Sequence, residues 1–91
     1  MKNYILIFNN LFATRIDAIE IVKKIPEIKS WRSDMPNAIY LKSDNTAQQL
    51  CDAIREVRDK GRFLVCEIGD NRQGYLTKDS WRFLSNTDIT T

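Results

Sequence analysis

Amide and basic side chains flank the two most apolar segments of this 91-residue chain. Asn9 and Asn10 follow the segment YILIF, and Lys60 and Arg62 stand immediately before the segment FLVCEI. Side chains of these types donate hydrogen bonds to phosphate and sugar groups, whereas a divalent metal prefers carboxylate oxygens. The chemistry indicated is therefore the binding of an anion, with phosphate as the natural candidate, provided that the fold brings these residues together.

The composition limits the reactions open to the chain. It has no histidine, which removes Ser-His-Asp triads, Cys-His dyads and most zinc sites. Cys51 and Cys66 are an isolated pair, and we interpret both as reduced, partly buried core residues. The 14 basic and 12 acidic residues give a net charge of +2, so the surface is mixed and does not resemble a basic nucleic-acid tail.

The length favours one domain, which we place at residues 1–86 with a flexible polar tail at 87–91. The N-terminal segment MKNYILIF lacks the long apolar region and small-residue cleavage site of a secretory signal. No apolar run approaches the roughly 18 residues that a membrane-spanning helix needs. We therefore expect a cytoplasmic protein that does not contact a membrane.

Apolar patterning and capping signals predict the elements that must position these residues. Thr14 with Asp17 resembles a capping box, Pro26 ends the helix that follows, and Thr46 with Gln49 opens a second helix before Gly61. Alternation and β-branched content predict the strands, with a turn at SDMPN and a short capped helix after Thr77. The predicted strands are residues 4–8, 28–32, 38–42 and 63–68, with residues 75–76 as a possible extension of the sheet.

This order of elements predicts an α+β fold, a ferredoxin-like βαββαβ two-layer sandwich with a short C-terminal helix and with strands one and three central. That topology places the end of strand one, the start of helix one, the end of strand two and the start of strand four together. We call this region the basic end. It collects the predicted nucleic-acid-binding residues Asn9, Asn10, Arg15, Arg32, Lys60 and Arg62, beside Thr14 and Asn37 and with Asp34 and Asp59 as acidic neighbours.

Two interpretations of the basic end remain open at this point. A helix N-terminus with several cations favours a bound phosphate. Basic loop residues are also the ordinary solvated rim of a small domain, and asparagines form turns because their side chains bond nearby backbone. The asparagines therefore have either a binding role or a turn-forming role.

The second face of the predicted sheet is unusually apolar. Strands one and four do not alternate between apolar and polar residues, and exposed apolar patches of several hundred square ångströms are uncommon on monomers. A homodimer through this sheet face is the most economical cover. The alternatives are the chain's own C-terminal element or a different protein.

Five segments carry a resemblance to a known group of proteins over residues 3–84: YILIFN, NAIYLKSD, TAQQL, RFLVCEI and SWRFL. Together they resemble the small ferredoxin-like proteins related to the CRISPR-associated adaptation subunit, and within that group the SinR-like proteins. The resemblance implies a homodimer packed through its sheets, in a setting related to defence or mobile elements. It also implies either a metal-dependent nuclease or a protein that only binds or bridges nucleic acid.

The resemblance places a metal-binding aspartate of the nuclease members at the end of strand one, where this chain has Asn9 and Asn10. An amide holds a divalent cation more weakly than a carboxylate does. We therefore expect a non-catalytic, dimeric nucleic-acid-binding or bridging protein without metal or cofactor. The alternatives are a protein-interaction module, such as a small inhibitor or antitoxin-like partner using the apolar sheet face, and a metal-dependent nuclease using Glu67, Asp70 or Asp34.

Overall fold

A computed structural model describes residues 1–85 of the chain. The domain end expected at residue 86 and the tail expected at 87–91 lie outside the described residues. The elements are β1 (Lys2–Phe8), α1 (Arg15–Lys23), β2 (Ser30–Met35), β3 (Ala38–Ser43), α2 (Ala47–Val57), β4 (Phe63–Ile68) and α3 (Lys78–Ser85).

The four strands form one sheet in the order β2-β3-β1-β4, and each neighbouring pair is antiparallel. Ile5 at the middle of β1 lies opposite Tyr40 of β3 on one side and Cys66 of β4 on the other. Strands one and three are therefore central, and the predicted ferredoxin-like βαββαβ fold with a short C-terminal helix is confirmed.

Side-chain caps fix where the two long helices begin. Thr14 accepts a hydrogen bond from the backbone N–H of Asp17 at 3.3 Å through its Oγ1. At the start of α2 the capping box is complete, because Thr46 Oγ1 accepts from Gln49 N and Gln49 Oε1 accepts from Thr46 N. These bonds satisfy backbone donors that the first helical turn leaves without an intrahelical partner. Both predicted helix starts are confirmed.

The main core lies between α1, α2 and one face of the sheet. Every second residue of the central strands points into it, and burying this apolar surface is the principal driving force for folding. Its largest fully buried side chains include Tyr4, Leu6, Phe12, Ile39, Leu41, Leu50 and Ile54.

Three local predictions are wrong. β2 begins two residues later and extends to Met35, because Ser33 pairs with Ile39 and Met35 pairs with Ala38, which leaves only residues 36–37 for the turn. Residues 75–76 do not extend the sheet. Cys66 is exposed rather than buried, because its side chain alternates onto the sheet face away from α1 and α2.

The helix α3 packs on the second face of the sheet and covers only half of it. Lys42 and Tyr40 are buried beneath it, and Asn3 Nδ2 donates to Leu84 O at 2.6 Å. Lys42 Nζ donates to Asn3 Oδ1 at 2.7 Å and lies 4.7 Å from the centroid of the Phe83 ring. The chain's own C-terminal helix thus covers the half of this face formed by β2 and β3.

The other half of that face, formed by β1 and β4, retains exposed apolar side chains. Ile7 is 46 % exposed and Leu64, directly opposite it, is 60 % exposed. Cys66 continues the same row along β4. We call Ile7, Leu64 and Cys66 the uncovered strip.

No helix within residues 1–85 is long and apolar enough to cross a membrane.

Candidate functional site

The topology brings the loops of the basic end together as predicted. Phe8, the last residue of β1, lies opposite Phe63, the first residue of β4, and Ile7 lies opposite Ala38 at the start of β3. Thr14, the cap of α1, follows β1 by a short loop. Asn9, Asn10, Lys60 and Arg62 are therefore gathered where β1 ends and β4 begins.

Asn9 organises the loop that follows β1. Its Oδ1 accepts hydrogen bonds from the backbone N–H groups of Phe12 and Arg62, both at 3.1 Å. Its own backbone N–H donates to Arg62 O at 3.0 Å. The backbone O of Asn9 also accepts from Phe12 N and Ala13 N, so side chain and backbone together hold the β1–α1 loop and join it to the first residue before β4.

Gly61 allows the approach of these two loops. Its φ is +71°, and a Cβ at this position would lie 2.1 Å from the backbone nitrogen of Phe12. Glycine alone combines a positive φ with the absence of a side chain at such a contact. The glycine beside Arg62 thus positions the basic residues, whereas α2 already ends at Val57 with Arg58 as its C-cap.

Asn10 and Asn37 connect the end of β1 to the β2–β3 turn. Asn37 Nδ2 donates to both Phe8 O and Asn10 Oδ1 at 3.0 Å. The backbone N–H of Phe8 in turn donates to Asn37 O at 3.1 Å. The turn-forming role considered for the asparagines is seen at Asn9, whose side chain bonds nearby backbone, whereas Asn10 bonds the side chain of Asn37.

The orientation of the amides leaves donors facing solvent. Asn9 and Asn10 both use their side-chain oxygen to accept bonds from the protein. Within residues 1–85 the Nδ2 group of neither residue donates a hydrogen bond, and both residues are exposed. Because an amide NH₂ group only donates, these groups suit an anion, and the two bonds to Asn9 Oδ1 occupy both of its lone pairs.

The charges around the basic end leave an excess of positive charge. Lys60 and Arg62 are exposed and form no ion pair within the described chain. The neighbouring acid Asp59 lies 3.6 Å from the Nε of Arg55, so an arginine of α2 already offsets it. Two cations therefore stand in the loop to which Asn9 is bonded, without a local counter-charge.

Arg15 lies at the rim of this region, at the start of α1. Its Nε donates to Ser33 Oγ at 2.9 Å and its Nη2 donates to Ser33 O at 3.3 Å, so it joins α1 to β2. The guanidinium has five N–H donors and stays charged. Arg15 is thus partly committed to the fold and still contributes positive charge.

Arg32 does not lie at the basic end. It stands at mid-strand opposite Tyr40, and its Nε donates to Ser80 Oγ of α3 at 2.7 Å. The same hydroxyl donates to Asp34 Oδ2 at 2.7 Å. Both side chains turn toward α3, because they alternate onto the sheet face that this helix covers. Arg32 and Asp34 therefore hold α3 in place. Sequence reasoning missed the role of Ser80, because nothing local marks a serine as a contact between a helix and a strand.

Burial shifts three proton equilibria in the sheet. Burial and then the charge of Asp34 raise the pKa of Tyr40, and the charge of Arg32 opposes this rise. Burial, followed by the negative charge of Glu67, raises the pKa of Tyr4. Burial and the nearby Arg72 lower the pKa of Lys42. All three groups lie within the sheet, away from the exposed cations.

The acidic residues form no metal-binding cluster within residues 1–85, where no group of three His, Cys, Asp or Glu side chains is suitably placed. Glu67 and Asp70 are exposed near the far end of β4, while Asp34 is bonded to Ser80.

Comparisons with models of known families, with curated proteins and with solved structures find no significant match to this chain. Function is therefore argued from the geometry of the site.

Proposed function

We propose that this protein is a non-catalytic nucleic-acid-binding protein that contacts phosphate and sugar groups through its basic end. The observation that carries the proposal is the orientation of the two amides. Their oxygens accept bonds from the protein and both residues are exposed, and Asn9 is bonded to the backbone of Arg62 in the loop that also carries Lys60. A surface of donors and cations matches the oxygens of a phosphodiester backbone.

The same geometry argues against a nuclease that relies on a metal at the end of β1. The side-chain oxygens of Asn9 and Asn10 already accept N–H groups. A divalent cation at Asn9 would have to replace those bonds, and at either residue it would gain only the weak ligation of an uncharged amide. Hydrolysis that needs a divalent cation and is lost on replacing Glu67, Asp70 and Asp34 would be the result that revives this alternative.

The resemblance to the SinR-like proteins supports the proposal independently of the geometry, and we propose that relation on the five sequence segments that carry it. It fits a role in binding or bridging nucleic acid. A cytoplasmic location is part of the proposal, because the chain has two unpaired cysteines, of which Cys66 is exposed.

The test is fluorescence anisotropy of labelled duplex DNA, single-stranded DNA and RNA, repeated at several salt concentrations. Binding should saturate and weaken as salt rises, because phosphate contacts release counterions. The double variant Lys60→Glu/Arg62→Glu should lose this binding and keep its far-ultraviolet circular dichroism spectrum.

A charge-matched control separates binding at the basic end from nonspecific electrostatic attraction between the whole protein and nucleic acid. Lys2 and Lys29 are exposed near the opposite end of the sheet, and Lys2→Glu/Lys29→Glu changes the net charge by the same amount. Equal losses in both double variants would contradict a site at the basic end. No binding of any of the three probes at low salt would overturn the proposed function.

A second candidate is a protein-interaction module, and the uncovered strip favours it. Exposed Ile7, Leu64 and Cys66 lie side by side on β1 and β4. Because α3 occupies the rest of this face, the homodimer expected through the sheet face is proposed here only at the strip. Co-purification of a stoichiometric protein partner, lost in Leu64→Asp, would support this candidate over nucleic-acid binding.

A further inference from the structure

The open half of the second sheet face runs directly into the basic end. Asn9 N donates to Arg62 O at 3.0 Å, and Arg62 N donates to Asn9 Oδ1 at 3.1 Å. These bonds continue the register of β1 and β4 by one pair beyond Phe8 and Phe63. Because residues two positions apart share a face of a strand, Arg62 follows Leu64 in the same row. An exposed apolar surface and an exposed cation are therefore neighbours.

A groove of about 430 Å³ lies at this junction, and it is lined by Ile7, Phe8, Asn9, Arg62, Phe63 and Leu64. Its volume falls within the range of roughly 300–1,000 Å³ that small-molecule sites occupy. None of its lining residues belongs to α3, and β4 is an edge strand that pairs with β1 alone in the described sheet. An extended chain can therefore cross the groove without displacing α3.

The lining of the groove defines the chemistry of its occupant. Ile7 and Leu64 offer exposed apolar surface, and the one charged side chain among the six lining residues is the cation Arg62. The occupant therefore needs an apolar part and an anionic part close together. Two residues of an extended strand separate Leu64 from Arg62, a distance of about 6.5 Å. One nucleotide spans such a distance between its base and its phosphate.

We propose that the groove receives an unstacked base of single-stranded nucleic acid, with the adjoining phosphate at Arg62. This inference rests on the proposed function and names the form of nucleic acid that the basic end prefers. Bases in a duplex are stacked on one another and show only their edges in the grooves, whereas a single strand exposes its base faces. Contact with a base face tolerates every base, so we expect little sequence preference.

Charge complementarity favours a nucleotide over an apolar side chain of another protein. Such a side chain would fill the groove but would leave Arg62 and Lys60 without a counter-charge. A strand of nucleic acid supplies a phosphate beside every base, so it satisfies the apolar surface and both cations together. An acidic apolar peptide is the competing occupant, and a protein that uses the groove for a peptide should not respond to the bases of an oligonucleotide.

The first test separates the bases from the phosphates. Anisotropy at one salt concentration compares a labelled single-stranded oligodeoxynucleotide with its duplex and with an abasic strand of equal length. The single strand should bind about tenfold more tightly than the abasic strand, the gain expected for a well-placed base. It should also bind more tightly than the duplex, although charge density alone would favour the duplex.

The outcomes of this comparison distinguish the present inference from the proposed function. Equal affinity for the single strand and the abasic strand, or tighter binding of the duplex, would overturn the base-binding groove. Either result would leave phosphate binding at the basic end intact. No binding of any probe would overturn the proposed function and this inference together.

The second test locates the base within the protein. Leu64→Ala should weaken binding of the single strand about fivefold, the change that roughly 40 Å² of apolar contact provides, and should leave affinity for the abasic strand unchanged. Ile16→Ala is the matched control, because Ile16 is 74 % exposed on α1 and lies outside the groove. Unchanged single-strand affinity in Leu64→Ala, or an equal loss in Ile16→Ala, would overturn the groove as the site of the base.

Discussion

The side-chain oxygen of Asn9 accepts a hydrogen bond from the backbone N–H of Arg62 at 3.1 Å. This bond crosses from the end of β1 to the start of β4 and turns the amide nitrogen of Asn9 toward solvent. The residue that stabilises the loop is thus also the residue that presents a donor beside the cations. The two roles use different atoms and are separable by mutation.

Replacing Asn9 with alanine or with aspartate should separate these roles. Asn9→Ala removes the acceptor for Arg62 N and one of the two acceptors for Phe12 N, which keeps its bond to Asn9 O, and should lower the free energy of unfolding by about 1–2 kcal/mol. Asn9→Asp keeps an oxygen acceptor and should change stability by less than about 0.5 kcal/mol. Urea denaturation measures both.

The same pair of variants tests the binding role of the amide. Asn9→Asp replaces the outward donor with a negative charge and should weaken nucleic-acid binding about tenfold, the loss expected for one hydrogen bond to a charged group. Anisotropy at fixed salt measures this. Wild-type affinity in a folded Asn9→Asp protein would remove Asn9 from the site.

Substituting the glycine that contacts the β1–α1 loop should be strongly destabilising. Gly61→Ala places a methyl group 2.1 Å from Phe12 N at a φ of +71°, and we expect a loss of about 2 kcal/mol or more in unfolding free energy. Gly69→Ala and Gly74→Ala are controls, because nothing lies within 4 Å of a Cβ at either position. Equal stability of all three variants by urea denaturation would contradict the close approach.

Removing the hydroxyl of Ser80 should loosen α3. Ser80 is fully buried and links Arg32 with Asp34, so Ser80→Ala should cost about 1–3 kcal/mol. Hydrogen exchange should quicken in α3 and on the face formed by β2 and β3, while the core of β1 stays protected. Ser85→Ala, at the exposed end of α3, is the control, and the same exchange pattern in both variants would argue against the role of Ser80.

Stability at alkaline pH should depend on Tyr4. Its pKa in the folded protein lies above the ordinary value of 10.0, so its protonated form contributes stability that is fully present below pH 10 and is lost as pH rises through the folded pKa. Tyr4→Phe loses the bond to Asn45 O and should be less stable than wild type at neutral pH. Because only the wild type loses stability as Tyr4 ionises, this difference in unfolding free energy should narrow above pH 10.

The measurement is urea denaturation of wild type and Tyr4→Phe from neutral to alkaline pH. The lowered pKa of Lys42 has the opposite effect, because stability rises as pH passes from its folded pKa toward 10.5. Both proteins share that contribution, so it cancels in the difference between them. A deficit that stays constant across pH 10 would contradict the shift at Tyr4.

Sequence patterns located most of the elements because their signals are local. Thr14, Thr46 and Gln49 cap the helices through residues three positions away, so their roles are readable without knowing the fold. The end of β2 was misplaced because SDMPN resembles a turn, whereas pairing of Ser33 with Ile39 on β3 extends the strand. Contacts between distant segments overrode the local preference there.

The candidate site was predictable in part. Topology brought Asn9, Asn10 and Arg62 together, since the order of elements determines which loops share an end of the sheet. It did not place Arg32, because the direction of that side chain depends on which face α3 covers. The role of Ser80 also depends on which face α3 covers, and the exposure of Cys66 depends on which half of that face α3 leaves open.

By itself the sequence determined the order of elements, the ferredoxin-like class and the absence of histidine chemistry, because periodicity, caps and residue types are properties of short segments. Only the tertiary structure decided which atoms of the asparagines face solvent, which half of the second sheet face remains exposed and which strand edge is free. Those properties depend on contacts between residues far apart in the chain, such as Asn9 with Arg62 and Arg32 with Ser80, and local patterns do not encode them.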